Sequence, residues 1–252
     1  MIKLTERIKQ VYDSEAETYE DRYQGFEGRY LTELETNYII ELIDTTTGSV
    51  LDIGTGGGRF VRVLNRTGQY SQLVGLDVSA EMLKQSKTRS PHDFVRGDAS
   101  QLPFTSNTFD LVTAIGIFEY IEDLVPLLRD INRVLAPQGQ LVFTVHNQHR
   151  LFPRLGEWAP QQYDVALHSL PDVRFQLMVA GFTDTEITST FYFNEYVWAG
   201  IPILETISQR LSRVYLETTI SVQHCLASLP WTRHSGGQFI VSAKVPVTQS
   251  FE

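Results

Sequence analysis

The chain of 252 residues is 42% hydrophobic and 20% charged, enough apolar material for one sizeable core at the upper end of single-domain length. Its 30 Asp and Glu outweigh 21 Lys and Arg, and the formal charge of -9 argues against a large phosphate-neutralising surface, so nucleic acid is not an expected partner. One cysteine, Cys225, allows no intramolecular disulfide, and no apolar run nears the ~20 residues of a membrane span, so a soluble, cytoplasmic protein is expected.

In chain order, MIKLTERIKQVYDSEAETYEDRY alternates charged with apolar residues and lacks the apolar core of a signal peptide. Ile8, Val11 and Tyr12, then Leu31, Leu34, Ile39 and Leu42, predict two amphipathic helices forming a cap over residues 1–45. Through 46–150, short apolar runs alternate with helical spacings, the pattern of a parallel sheet covered on both faces. Strands are predicted at Ser49–Ile53, Leu73–Asp77, Asp93–Gly97, Phe109–Ile115 and Gln140–His146. The helices between them are marked by Phe60, Val61 and Leu64, by Met82 and Leu83 behind an N-cap at Ser79, and by Leu124, Leu127, Leu128, Ile131 and Leu135, stopped at Pro137 and Gly139. A helix over Val173–Ala180, a turn at Gly181 and β-rich pieces at Thr183–Ser189 and Gln238–Val245 follow. Between those two pieces lies an insert over 190–236, aromatic at its start and helical from Pro202 onward. With no repeat and no low-complexity linker, 1–252 reads as a single α/β domain.

The stretch VLDIGTGGGRF, Val50 to Phe60, places a glycine-rich turn between a strand and a helix. Such a turn offers unpaired N–H groups and the positive end of a helix dipole, and glycine lets the backbone itself wall a pocket. A dinucleotide fingerprint needs a third glycine where Arg59 or Val61 stands, and a P-loop needs a Gly-Lys-Ser/Thr ending that does not follow. What is present is D-x-G-x-G-x-G, from Asp52 through Gly54 and Gly56 to Gly58.

That pattern resembles the class I S-adenosylmethionine-dependent methyltransferases, and the resemblance runs on in register through VGLDVSAEML, GDASQLPF, FDLVTAIGIFEYIED and INRVLAPQGQLVFTV, about Val50 to Val145. It implies a Rossmann-like, seven-stranded, mostly parallel sheet with its last strand, GGQFIVSAKV, inserted antiparallel. It also implies S-adenosylmethionine as cofactor, with S-adenosylhomocysteine as product. In that reading the N–H groups from Gly54 through Thr55 and Gly56 to Gly58 take the carboxylate, and Asp52 with carbonyls near Ala114 takes the ammonium. Asp77 takes the ribose diol, Asp98 the adenine amine and Ala99 the ring edge, while Val78 and Met82 flank the adenine. The N-terminal tyrosines Tyr12, Tyr19 and Tyr23, at helical spacings of seven and four, share a face over the cofactor, with Tyr12 and Tyr19 as the cofactor-side pair.

His146 ends the fifth strand on the acceptor side and is a candidate substrate ligand or base; His149, three residues on, lacks a third partner for a metal, and none is expected. Glu119 stands where many members of the family carry histidine, and is a candidate to orient an amine or hydroxyl. Phe191, Tyr192, Phe193, Tyr196 and Trp198 open the insert, which is read as a substrate lid; a homodimer interface or plain core are its rival uses. Cys225 is expected as a buried residue of a helix. The function expected is methyl transfer to an oxygen or nitrogen of a small molecule. Lipid, quinone or protein acceptors, a non-catalytic cofactor-binding module and a nicotinamide oxidoreductase are the alternatives.

Overall fold

A computed structural model describes residues 2–23, 26–149, 166–190, 203, 204, 206–230, 232 and 234–247. Helix α1 (Ile2–Glu15), a short 3-10 helix (Tyr19–Tyr23) and α2 (Phe26–Glu41) precede the sheet. Strands β1 (Thr47–Ile53), β2 (Gln69–Asp77), β3 (Asp93–Arg96), β4 (Phe109–Ala114) and β5 (Leu135–His146) are interleaved with α3 (Arg59–Thr67), α4 (Ala80–Arg89) and α5 (Val125–Val134). The chain then adds α6 (Leu170–Val179), β6 (Thr183–Thr190), α7 (Gln209–Ser228) and β7 (Gln238–Lys244).

The seven strands form one sheet in the order β3-β2-β1-β4-β5-β7-β6. The pairs from β3 to β5 are parallel, and β7 runs antiparallel to both β5 and β6. Chain order reverses at β1, so the carboxyl ends of β1 and β4 flank a crevice, the place where open α/β sheets hold ligands.

Strand alternation builds the two cores. Leu51, Ile53, Val112, Ala114 and Phe143 face one side with α5 and α6, and Phe118 stacks on Phe143 with ring centroids 4.3 Å apart. Val50, Leu111, Val142 and Ile240 face the other side with Ile39, Phe60 and Leu64. Gln140 crosses between layers as a fully buried amide: its Nε2 donates to the Leu42 carbonyl at 2.7 Å and to Ser242 Oγ at 2.8 Å, and its Oε1 accepts from the Asp44 N–H at 3.0 Å. The end of α2 is thereby tied to β5 and β7.

The predicted strands lie where their apolar runs place them, but β1, β2 and β5 begin earlier, at Thr47, Gln69 and Leu135, and β3 and β4 each end one residue sooner. Leu135, assigned above to the helix, instead begins β5 and pairs with Phe109; the strand runs on through Pro137 and Gln138, whose φ of 65° bends the chain while its N–H donates to the Val245 carbonyl. A proline on the open side of a bend removes no ladder bond, which is why Pro137 did not mark a loop. The N-terminal tyrosines do not share one helix face. The helix stops at Glu15, and Tyr19 starts a separate turn that brings its ring edge-on to Tyr12 at 5.6 Å.

Cys225 is exposed, not buried. Helix α7 packs against β6 through Ser212, Leu216 and Thr219, and Cys225, nine residues beyond Leu216, falls half a turn out of phase with that face. The aromatic opening of the insert lies outside the described residues. No helix among those described is long and apolar enough to cross a membrane.

Candidate active site

The loop after β1 is left-handed at alternate residues: Gly54, Gly56 and Gly58 have φ of 69°, 51° and 74°. A Cβ on Gly54 would stand 2.1 Å from the Ile117 side chain, while one on Gly56 would meet nothing within 4 Å. Backbone wall therefore borders open space at Gly56, as a pocket for a close-fitting ligand requires.

That space is a cleft of about 470 Å³ along the carboxyl ends of the parallel strands, in the size range of small-molecule and cofactor sites. Asp52, Asp77 and Asp98 all line it. So do Gly54, Thr55, Gly56, Val78, Ala99, Tyr12 and Tyr19 on the cofactor side of the reading, and His146 and Glu119 on the acceptor side. Gly58, Met82 and Ala114 do not. Gly58 packs under Phe94 and Ser86 as the residue before α3, Met82 is a core residue whose N–H donates to the Ser79 cap, and Ala114 is fully buried inside β4.

Asp52 is 2% exposed and accepts 2.8 Å from the Thr113 hydroxyl. Burial pushes its carboxyl up to about 6, against the pull of the Thr113 and Thr55 hydroxyls and of Arg59. Asp77 accepts from the Gly56 N–H through Oδ2 and from the Ser79 N–H through Oδ1, both at 2.8 Å. Burial again raises it, opposed by those amides. Each oxygen keeps a second lone pair, so this fixed carboxylate can still accept from a diol. Asp98 accepts from the Ser100 N–H at 2.8 Å, the local turn its side chain type favours, while lining the cleft.

The amides of the turn are arranged differently from the expectation above. Gly54 and Thr55 donate to the Leu76 carbonyl at 2.8 and 3.0 Å, Gly56 donates to Asp77, and Gly58 donates to the Thr55 carbonyl at 2.9 Å. These four N–H groups fasten the turn to β2 and to itself; Gly57, whose N–H is not among them, lines the cleft as well.

Three residues that the sequence did not single out complete the walls. Arg59, the first residue of α3, lies 3.6 Å from Glu35 of α2, and both line the cleft with Gln238 of β7, which stands in register with His146. Burial raises the Glu35 carboxyl against the pull of Arg59 and Gln238. Nothing in the spacing of Glu35 or Gln238 marks them; only the sheet order brings β7 beside β5. The cap closes the other side: Tyr12 and Tyr120 hydroxyls are 2.9 Å apart, and the Ser79 hydroxyl donates to Asp13 at 2.5 Å.

S-adenosylmethionine fits this donor set. It brings a sulfonium and an ammonium to a cleft whose buried carboxylates, Asp52 and Asp77, are held above their ordinary range by lack of solvent, and its diol and adenine could meet acceptors among Asp77, Asp98 and Ala99, which line the same cleft.

Residues 51–143 match the family model described as "Methyltransferase domain". The chain is 37% identical over 106 residues to the demethylmenaquinone methyltransferase of Thermotoga maritima, covering 41% of this chain and 46% of that one. It is 27% identical over 187 residues to the malonyl-[acyl-carrier protein] O-methyltransferase of Halorhodospira halophila, covering 70% and 61%. The chain spans about half the length of the curated relatives it matches. In fold it superposes on a Thermotoga maritima protein described as an S-adenosylmethionine-dependent methyltransferase, possible histamine N-methyltransferase, with TM-score 0.66, 16% identity and coverage of 94% of this chain and 98% of that one. Residues 51–143 thus match a methyltransferase domain, and the chain shares the fold of that solved structure.

Proposed function

We propose that the protein transfers a methyl group from S-adenosylmethionine to an oxygen or nitrogen of a small-molecule acceptor. The observation that carries this reading is one cleft joining Asp77 and Asp52 to a second set of hydrogen-bonding groups, Glu119, His146, Glu35 and Gln238, beyond the ends of β4 and β5. The first set suits a cationic nucleoside; the second suits an acceptor with its own polar groups.

The cofactor supplies a methyl group on a positively charged sulfur, already activated toward a nucleophile. What the chain's residues must supply is alignment and dryness. Asp77, fixed by two amides, orients the ribose, and Asp52 holds the amino-acid end. Tyr12 and Tyr19 of the cap cover the cleft and exclude water. His146, 8% exposed at the end of β5, and Glu119 bind the acceptor and take a proton from it where the nucleophile arrives protonated.

Demethylmenaquinone and malonyl-[acyl-carrier protein], the acceptors in the relatives' names, do not decide the acceptor here. The 37% match covers 41% of this chain, and Gln238 of the acceptor wall lies far beyond the 51–143 domain.

The test has two arms. Calorimetry should show binding of S-adenosylhomocysteine that Asp77→Ala weakens more than about 100-fold, since charge-assisted hydrogen bonds to both ribose hydroxyls are lost. Incubation with S-adenosylmethionine and a panel of hydroxyl- and amine-bearing small molecules should release S-adenosylhomocysteine with at least one of them. No binding by the intact protein ends the cofactor reading; binding with no turnover on any acceptor leaves a cofactor-binding module instead.

A further inference from the structure

Helix α7 carries apolar side chains on two opposite faces, and the sheet accounts for only one of them. Ser212, Leu216 and Thr219, at spacings of four and three, are buried where the helix packs on β6. Leu211 and Val214 point the other way, 53% and 54% exposed, and Val222 continues their side at 44%. Ile203 and Ile207, just ahead of the helix, are 63% and 68% exposed. A surface helix ordinarily turns polar residues outward, so a run of large apolar side chains along its outer face marks a surface that meets something.

The order of those residues is self-complementary. Counted from the point between Ser212 and Arg213, Leu211 stands as far before it as Val214 stands after it, and Ile203 as far before it as Val222 after it. Two copies of the helix packed antiparallel about a two-fold axis at that point set Leu211 of each against Val214 of the other, and the isoleucines of each beside Thr218 and Val222 of the other. Charge follows the same symmetry. Arg210 and Glu217, seven residues and so about two turns apart, lie along one flank of the stripe. A two-fold axis perpendicular to the helices keeps like flanks together, which brings Arg210 of each copy to Glu217 of the other. Parallel helices bring unlike flanks together and set these charges beside Tyr215 and Val222 instead. A lipid surface would accept the apolar side chains but gives the matched glutamate no partner.

We propose that the outer face of α7 is the contact between two copies of this chain, packed antiparallel about a two-fold axis between Ser212 and Arg213. One helix a side falls below the standard interface of about 1,600 Å², so the dimer is weak, with a dissociation constant of micromolar order, and the face is bare in dilute protein.

The test is sedimentation velocity from about 1 to about 300 µM, a span that brackets such a constant. Wild type should pass from monomer to dimer across it. Leu211→Glu should stay monomeric throughout and keep the wild-type melting temperature at the dilute end, since Leu211 is exposed in the single chain. Arg210→Glu should weaken the dimer about tenfold, and adding Glu217→Arg to it should restore the dimer to within about threefold of wild type, which only pairing between copies can do. Mild oxidation should link few chains, because the two Cys225 thiols stand more than about 30 Å apart in this arrangement and side by side in a parallel one. A wild type that stays monomeric, a Leu211→Glu variant that still dimerises, a double variant no tighter than Arg210→Glu, or ready disulfide linkage through Cys225 each overturns the proposal. So does a monomer that sediments with phosphatidylcholine vesicles, which assigns the stripe to lipid.

Discussion

Asp52 carries the tension between stability and binding. Its carboxyl moves from 3.8 in the ordinary state to about 6 when folded, because it is buried at the end of β1, where the Thr113 hydroxyl and the more distant charge of Arg59 offset little of the loss of water. Between those two values the folded state keeps a proton that the unfolded chain has lost. Its contribution to stability is therefore present at low pH and lost as pH rises through about 6, a loss of roughly 3 kcal/mol at pH 7. Asp52→Asn removes that penalty and still accepts from Thr113, so it should raise the ligand-free melting temperature at pH 7 by several degrees while weakening S-adenosylhomocysteine. A lower melting temperature would contradict this account. The same group sets a pH dependence for binding. An ammonium needs Asp52 ionised, so the dissociation constant should rise by up to about tenfold per unit as pH falls below about 6. Calorimetry between about pH 5 and about pH 7.5 should show a much flatter profile in Asp52→Asn. The residue was legible in the D-x-G-x-G-x-G pattern; its burial was not, because the Thr113 partner comes from β4, which meets β1 only through the sheet.

At the level of elements, the N-terminal cap is held by three ties to three parts of the core. Tyr12 meets Tyr120, Asp13 meets Ser79, and Glu20 reaches Arg62 at 3.0 Å and Arg89 at 3.1 Å, while Arg62 also donates to the Gly57 carbonyl at 2.7 Å. Glu20 thus couples the cap to the back of the glycine turn. Part-buried ion pairs of this kind add little to global stability, about 1 kcal/mol or less, but they set where the cap sits. Glu20→Gln should leave the melting temperature nearly unchanged, speed tryptic cleavage after Arg7 and Lys9, and weaken S-adenosylhomocysteine several-fold. Cleavage at the wild-type rate would show that the cap is held otherwise. Periodicity found the cap helix but carried it too far. Tyr12, Tyr19 and Tyr23 fit one helical face on paper, whereas the break after Glu15 lets Tyr12 and Tyr19 meet edge-on across it. The ties themselves were invisible, since each joins residues far apart in the chain.

Across the whole molecule, legibility follows how local the cause is. Strands β1 to β5 show as apolar runs because both faces of a parallel sheet are buried, and the motifs between them mark the cofactor side of the cleft. The proposed acceptor wall combines Glu35, His146 and Gln238 from α2, β5 and β7, a set assembled by the insertion of β7 between β5 and β6 and by no local pattern. The same division predicts a gradient of local stability. β4 and β5 lie inside the sheet with Leu111, Val112, Leu141, Val142 and Phe143 fully buried, whereas α7 leaves Leu211, Val214 and Val222 exposed and packs by one narrow face on β6. Amide exchange should be slowest in β4 and β5 and orders of magnitude faster in α7, because exchange through local opening needs little apolar burial to be undone there. Adding S-adenosylhomocysteine stabilises only the conformations that bind it, so new protection should appear in α1, the 3-10 helix and the glycine turn that border the cleft, and not along α7. Protection confined to α7 would place the ligand away from Asp52 and Asp77, and the cleft described above would no longer be its site.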